Sequence, residues 1–599
     1  MDLRNLLLVT AILLPLEIAA VDIPITDSWF GGFQAGACVA ITTSLNGWTA
    51  SLKFSDDVHS VEIWVAKVTK VSSREYRLQN EAFNPILNVG DQFCFSFVGR
   101  VTGNVTPKIT FSFNGVGDSG SVASTPSSSS SSTTRSSSSS TTRSSSSTAA
   151  PSTGGSTANK DYMDALAKSI LFYYAQRSGK LPANNPIPWR GDSALSDCVP
   201  GGWYDAGDHV KFGLPMASTT TLLLWSLYAF KDGYSAAQQL DAMYDVIKWP
   251  LDYFLKAWNS NTKRLTVQVG DGNADHSFWG RPEQMTMSRP CQEVSTSSPG
   301  SDVAAETAAA LALGAITFKD KDTTYAAQLL TAAESLYAFA KTSRGVFSGA
   351  SPFYVSSGDK DELCVAGVWL YRATRNAQYL NDARSFSDGA YIWALSWDDK
   401  RAACQELLYE ETKTSSYRDA VTGFLQTWLP GGSVAYTPCG LAWRDQWGTT
   451  RYAANVAFLA LVAAEAGLNT AQYRKWGVEQ INYILGDNKH NGGCFSFEIG
   501  HGKQYPQQPH HRGASCPNLP ATCGDAQLNA DAPSPQILYG ALVGGPDRQD
   551  FYQDKRTDYI QNEVATDYNS GFQGALAAIN HLVATNNFPQ TNNKCPCNP

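Results

Sequence analysis

The chain has 599 residues, 11% aromatic and 17% charged, with a net charge of -8. A chain this long does not close on one simple core, so two or more domains are expected. It has no basic patch to meet a phosphate backbone, which excludes nucleic acid as a partner.

Residues 1–20 carry Arg4, an apolar run over 6–14 and the small pair Ala19-Ala20, the pattern of a secretory signal peptide cut near Ala20. The run is too short to span a bilayer, and no later run reaches the ~20 residues a span needs. A secreted, extracellular protein with no membrane anchor is expected. Twelve cysteines fit an oxidising compartment. Only Cys595-Pro-Cys597 has tight spacing, so thiolate metal sites are not expected. Cys38 with Cys94 and Cys516 with Cys523 are candidate disulfides, although sequence alone does not fix connectivity. Asn104-Val105-Thr106 is a glycosylation sequon.

Residues 21–117 hold short β-rich runs, such as 39–41, 49–54 and 93–97, punctuated by Gly, Asn, Asp and Ser, which points to a β-sandwich. Residues 118–158 are Ser/Thr-rich and too poor in apolar side chains to fold, so they read as a flexible, O-glycosylated linker. From 159 to 592 apolar residues recur at three- and four-residue spacing, for example over 163–172, 219–230, 241–257, 303–316, 324–340, 361–374, 453–466, 471–485 and 571–583. With weaker runs the spacing predicts about twelve helices, almost no strong strands and long Gly/Pro/aromatic loops, which suggests an all-α toroid of helix pairs with function in its loops. Residues 593–599 form a short C-terminal tail.

Two acidic loops carry the chemistry. Glu563 sits among Tyr559, Val564, Ala565 and Tyr568, surroundings that desolvate a carboxyl, raise its pKa and leave a proton to donate to a leaving oxygen. Its alternative is a solvated acid at a helix start. Asp205 and Asp208 flank Ala206-Gly207 in the run Gly201 to His209, which suits a general base that holds a water. The same four residues are also ordinary turn chemistry.

Two family resemblances sharpen this reading. Trp29-Phe30-Gly31-Gly32-Phe33, Gly47-Trp48, Trp64, Phe83-Asn84 and Phe113-Asn114-Gly115 resemble carbohydrate-binding module family 2 over about 95 residues. The resemblance implies docking on crystalline cellulose through exposed aromatics, and by position Trp29, Trp64 and Phe83 match that strip. Phe83 stands where the family usually has tryptophan, and Trp48 is expected in the core. Cys38 and Cys94 lie inside strand-like runs and would be a cross-strand staple.

The run 176–182 (QRSGKLP), Gly201 to Phe212 (GGWYDAGDHVKF), Tyr436 to Asn455, Pro509-His510-His511-Arg512 and Tyr552 to Asn569 occur in the order seen in glycoside hydrolase family 9. That resemblance spans about 159–592. It implies an (α/α)6 barrel, an open cleft and hydrolysis of β-1,4-glucan with inversion. It further implies Glu563 as proton donor, Asp208 as catalytic base, and Asp205 as the partner holding the attacking water. His510 and Arg512 match a pair lining the central subsite, with His511 facing away, and Asp554 matches a supporting acid. His276, Trp279, Trp393, Trp447, Tyr452 and Tyr568 match substrate-contacting positions, each with a core role as its alternative.

Ser357, Gly358, Asp361, Glu362 and Asp398 match a structural calcium cluster of some family members. Their alternative is a turn followed by an acidic helix start. No cofactor is required for the chemistry. The expectation is a secreted, monomeric endo-β-1,4-glucanase (cellulase) acting on cellulose. The end of the chain soon after the helical domain favours endo over processive action. Alternatives are a same-fold hydrolase of other β-glucans or hemicellulose, and a catalytically silent cellulose-binding protein.

Overall fold

The computed structural model describes residues 21–113 and 160–597, apart from 30–31, 42–43, 64–65, 81–85, 88, 90–91, 104 and 390–391. The expected linker, the Asn104 sequon, Trp64, Phe83 and the side chains of Trp29, Cys38 and Cys94 therefore lie outside the described residues.

The first unit is built from antiparallel strands in two main sheets. One runs in the order Val21–Ile23, Ile109–Phe113, Thr49–Phe54, Glu75–Asn80 and Ala66–Ser72, and the other Ile25–Trp29, Gly32–Ala40, Gln92–Arg100 and Ser60–Ile63. Their alternation explains the shared core. Phe93, Phe95 and Phe97 point to one side of their strand, and Ile109, Phe111 and Phe113 to one side of theirs; all six are buried. Trp48 is 1% exposed and meets Phe93 and Phe113 edge-on, which bears out its expected core role. Cys38 and Cys94 stand opposite each other in the strand register.

The second unit contains twelve helices of ten or more residues among the described residues: α1 Tyr162–Ala175, α2 Gly213–Ala229, α3 Leu240–Ala257, α4 Ser301–Phe318, α5 Thr323–Thr342, α6 Lys360–Thr374, α7 Ala377–Phe386, α8 Arg401–Thr412, α9 Ser415–Trp428, α10 Thr449–Glu465, α11 Thr470–Ile484 and α12 Thr566–Ala584. The even-numbered helices pack on one another: α2 lies between α4 and α12, α6 between α4 and α8, and α10 against α12. Each odd-numbered helix backs one even-numbered neighbour: α1 on α12, α3 on α2, α5 on α4, α7 on α6, α9 on α8 and α11 on α10. Helices enclosed in this way have no solvent face, so α4 and α10 are apolar or small almost all round and are buried along nearly their whole length. Close approach demands small residues. A Cβ at Gly571 in α12 would meet the Asn455 side chain of α10 at 2.1 Å.

A four-stranded sheet departs from the expectation of almost no strong strands. Arg264–Val269 pairs antiparallel with Lys211–Phe212, Trp258–Asn259 and Cys291–Val294. Its run is short and buried along five of six positions, so it carries no clean period-two signal. The sheet anchors the loop that bears Asp205 and Asp208. Lys211 is fully buried, with its ammonium 2.7 Å from Asp197, and the disulfide Cys198–Cys291 ties the loop's start to the same sheet. The Cys516–Cys523 pairing is present. Cys595 and Cys597 bond to Cys439 and Cys494, so the C-terminal tail is pinned to the helical unit.

Candidate active site

Three loops meet at the N-terminal ends of even-numbered helices. Asp205 and Asp208 lie just before α2, Trp447 just before α10, and Glu563 just before α12. The loops are sewn together through backbone. The Thr566 N–H donates to the Asp205 carbonyl at 2.8 Å, the His510 N–H to the Asn562 carbonyl at 2.8 Å, and the Arg512 N–H to the Gly207 carbonyl at 3.0 Å. Residues 510–512 thus form a rib that hydrogen-bonds both the loop before Glu563 and the loop bearing Asp208. Gly207 has to be glycine for this contact, because a Cβ there would sit 2.0 Å from the His510 carbonyl oxygen. Gln176 closes the arrangement. Its amide nitrogen donates to the carbonyls of Tyr204 and Ala206, and its Oε1 accepts from His511 Nε2 at 2.9 Å. The His511 Nδ1 accepts the Ala514 N–H, which fixes that tautomer and turns His511 away from the carboxylates, as expected.

The acids differ in environment. Burial pushes the Glu563 carboxyl up, and the nearby charge of Asp567 adds to this; donors from Trp447 and Tyr568 only partly offset them. The Trp447 indole N–H (2.5 Å) and the Tyr568 hydroxyl (2.8 Å) both donate to Oε2, which leaves Oε1 to carry the proton. Burial also works against ionising Asp208, but the hydrogen bond and charge of His276, followed by the charge of Arg512, outweigh it and hold Asp208 below the usual range. Asp205 moves the opposite way. Burial, then the charges of Asp208 and Asp567, push it well up, against a hydrogen bond donated by the Tyr354 hydroxyl to its Oδ2. The pair therefore divides its labour: Asp208 keeps the negative charge and Asp205 favours the neutral form.

The surrounding side chains fix these groups. His276 Nε2 lies 3.2 Å from Asp208 Oδ2. His510 shares Nδ1 with the Arg556 carbonyl at 2.7 Å, and burial lowers its pKa to about 4, so it stands neutral with Nε2 as an acceptor. Arg512 donates to the Phe278 carbonyl and lies over the Trp279 ring, 5.2 Å from its centroid. Asp554 accepts the N–H groups of Gln507 and Gln508, which braces the loop leading into the rib.

The aromatic positions separate into two groups. Trp393 and Trp447 are half-exposed and can present ring surface. Trp279, Tyr452 and Tyr568 are buried, and their parts differ from sugar stacking. Trp279 backs His510 and donates to the Ser515 hydroxyl at 2.9 Å, Tyr452 supports Trp393 edge-on, and Tyr568 serves Glu563.

Besides Gln176, three contributors had no assigned role in the sequence. Tyr354 reaches Asp205 across 149 positions of chain, with no local pattern to announce it. Arg451 and Asp567, 2.8 Å apart, lie inside the recognised motifs, and the Arg451 guanidinium packs on Tyr452 and Tyr568. Buried together, an arginine and an aspartate need each other.

At the expected calcium cluster, the Ser357 N–H donates to Asp398 Oδ1 and the Lys400 N–H to Asp361 Oδ2, each at 2.6 Å. Burial and the neighbouring Asp361 raise Asp398 to about 6. Glu362 Oε1 faces the Lys400 ammonium at 3.1 Å, and its buried Oε2 lacks a partner. Repelling carboxyls and an orphaned oxygen fit a hard cation. Gly358 offers its carbonyl, which already accepts from Ser356.

Comparison with known proteins now decides the family. Residues 162–576 match the family model for glycosyl hydrolase family 9, and residues 19–117 match the cellulose binding domain. The chain belongs to glycosyl hydrolase family 9. It is 46% identical over 451 residues to Endoglucanase A of Bacillus pumilus, spanning 71% of this chain and 67% of that protein. The structure of the endoglucanase from the termite Nasutitermes takasagoensis superposes with a TM-score of 0.68 at 48% identity, covering 71% of this chain and all of that one. The cellulase Cel9M of C. cellulolyticum, solved in complex with cellobiose, matches at 37% identity and a TM-score of 0.66, covering 71% of this chain and 99% of that one. Family 9 membership thus covers the helical unit and the cellulose binding domain the β-sheet unit, in the order read from the sequence.

Proposed function

We propose that the chain is a secreted endo-β-1,4-glucanase that hydrolyses internal bonds of cellulose with inversion at the anomeric carbon. In this reading the alternating helices are an (α/α)6 barrel, whose inner ring offers its N-terminal ends to the substrate. Glu563 donates the proton on Oε1 to the glycosidic oxygen as the bond breaks. Asp208 takes a proton from a water attacking the opposite face of C1, and Asp205, held by Tyr354, helps place that water. The observation that carries the reading is the opposed shift of the two acids, Glu563 up and Asp208 down, across one rib of backbone. Residues 510 and 512 on that rib hold the two loops.

His276, His510 and Arg512 would bind hydroxyls of the central sugar, and Trp393 and Trp447 would stack against ring faces. Calcium held by Ser357, Gly358, Asp361, Glu362 and Asp398 would brace the start of α6, with no part in hydrolysis. The chain would act as a monomer outside the cell.

The test compares the full chain with a variant lacking residues 21–117 on a soluble β-1,4-glucan and on crystalline cellulose. Viscosity of the soluble polymer should fall ahead of reducing-end release for both forms, and their rates should agree. On crystalline cellulose below saturation the shortened form should be slower by about tenfold or more, because the module raises the local concentration of enzyme on the solid. Equal loss on both substrates would contradict a docking role for the module. Reducing ends released without a fall in viscosity would contradict endo cleavage.

A further inference from the structure

Beside the base lies an arrangement that hydrolysis alone does not explain. Asp208, Asp275 and His276 each place one donor atom within 4.8 Å of the other two. His276 Nε2 and Asp208 Oδ2 are 3.2 Å apart, close to the roughly 3.3 Å edge of a tetrahedron with metal–ligand bonds near 2.0 Å. Asp275 is 1% exposed, yet its Oδ2 has no hydrogen-bond partner. A buried carboxylate oxygen is seldom left so, since the unpaired group carries its full desolvation cost.

The rest of the cluster resembles the supporting shell of a metal site. Asp275 Oδ1 accepts the His209 N–H at 3.1 Å and lies 3.8 Å from Arg512 Nη1, which orients the carboxylate and leaves Oδ2 open. Asp208 Oδ1 accepts the Ala206 N–H at 3.2 Å, which leaves Oδ2 toward His276. The His276 side chain is 41% exposed and gives the site a route from solvent.

We propose that Asp208, Asp275 and His276 form a binding site for a borderline first-row divalent cation, with Zn²⁺ as the type case, and that occupancy switches the enzyme off. One imidazole nitrogen and two carboxylate oxygens are a ligand set for zinc, with water completing the shell. Calcium, which takes six to eight oxygen ligands, is poorly served by three donors that include an imidazole. The cation would replace the contact between His276 and Asp208 and occupy the lone pair needed to take a proton from water. The inhibitory half of the proposal rests on Asp208 being the base; the binding half does not.

The experiment titrates Zn²⁺ into the full chain by calorimetry in excess Ca²⁺, which occupies any hard-cation site, and repeats it with His276→Gln and Asp275→Asn. One equivalent should bind to the wild type with an affinity that each substitution weakens at least tenfold. His276 is on the surface, so its variant keeps the fold even if the buried substitution does not. Affinities within twofold of wild type in a folded His276→Gln protein would overturn the site. Turnover of a soluble glucan is then measured across the same titration. Loss of activity that follows occupancy supports the switch. Full activity at saturation would leave the cation site standing and remove Asp208 as the base.

Discussion

Glu563→Gln lowers kcat on a soluble β-1,4-glucan by about 10²–10⁴-fold while KM stays near the wild-type value. Glutamine keeps the shape of the side chain and an oxygen to accept from Trp447 and Tyr568, so the pocket that holds Glu563 persists. What disappears is the proton. The wild-type pH profile should show the same group. Burial raises the Glu563 pKa, so its acid form survives toward neutral pH and is lost as pH rises through that value, which sets the alkaline limb of activity. In the variant that limb vanishes along with most of the rate. Steady-state kinetics from acid to alkaline pH on both proteins read the two effects together. Wild-type-like turnover by the variant would sink the assignment of the acid.

Asp208→Asn should cost a comparable 10²–10⁴-fold in kcat for a different reason. Asparagine can occupy the place of the carboxylate beside His276 and the Ala206 N–H, but it cannot accept a proton. Asp208 is held low, so in the wild type it is ionised at neutral pH and loses its function only as pH falls through its depressed pKa. Azide, an anionic nucleophile that needs no deprotonation, should restore part of the lost turnover in this variant and none in Glu563→Gln. Rescue marks Asp208 as the group that activates water. A variant that azide does not revive, with KM raised and kcat kept, would instead make Asp208 a binding residue.

The contrast between these residues and their neighbours shows what a sequence discloses. Glu563, Asp205 and Asp208 were singled out because each sits in a short motif that resembles family 9, although the local chemistry of each also allowed a bland alternative. Gln176 was quoted only as part of a motif, and its work in tying two loops together needed three dimensions. Tyr354 could not be read at all, since it meets Asp205 only through the packing of separate helix pairs. Helix α8 gives a related lesson. It buries Gln405 and Glu406, so polar residues interrupt its apolar stripe and the period fades. The sheet around Arg264–Val269 escaped notice because a strand buried on both faces loses its alternation. Buried aromatics were the hardest to apportion. Tryptophan and tyrosine look alike in a motif whether they present ring surface, as Trp393 and Trp447 can, or back another side chain, as Trp279 does His510 and Tyr568 does Glu563.

The division of charge between Asp205 and Asp208 also bears on how the site tolerates three nearby acids. Asp567 pairs with Arg451, Asp208 keeps its charge beside His276 and Arg512, and Asp205 is driven toward its neutral form, with the Tyr354 hydroxyl donating to it. A carboxylate held low at Asp208 beside a carboxyl pushed up at Glu563 is the pairing that the proposed inverting hydrolysis calls for.

Proton NMR of the anomeric signals during the first minutes of cellohexaose hydrolysis tests the central claim most directly. A single displacement by water held at Asp208 releases the α-anomer first from the β-linked chain, and mutarotation then builds the β-anomer. If the β-anomer appears first, the reaction is a double displacement, and Asp208 acts as a nucleophile in place of a base.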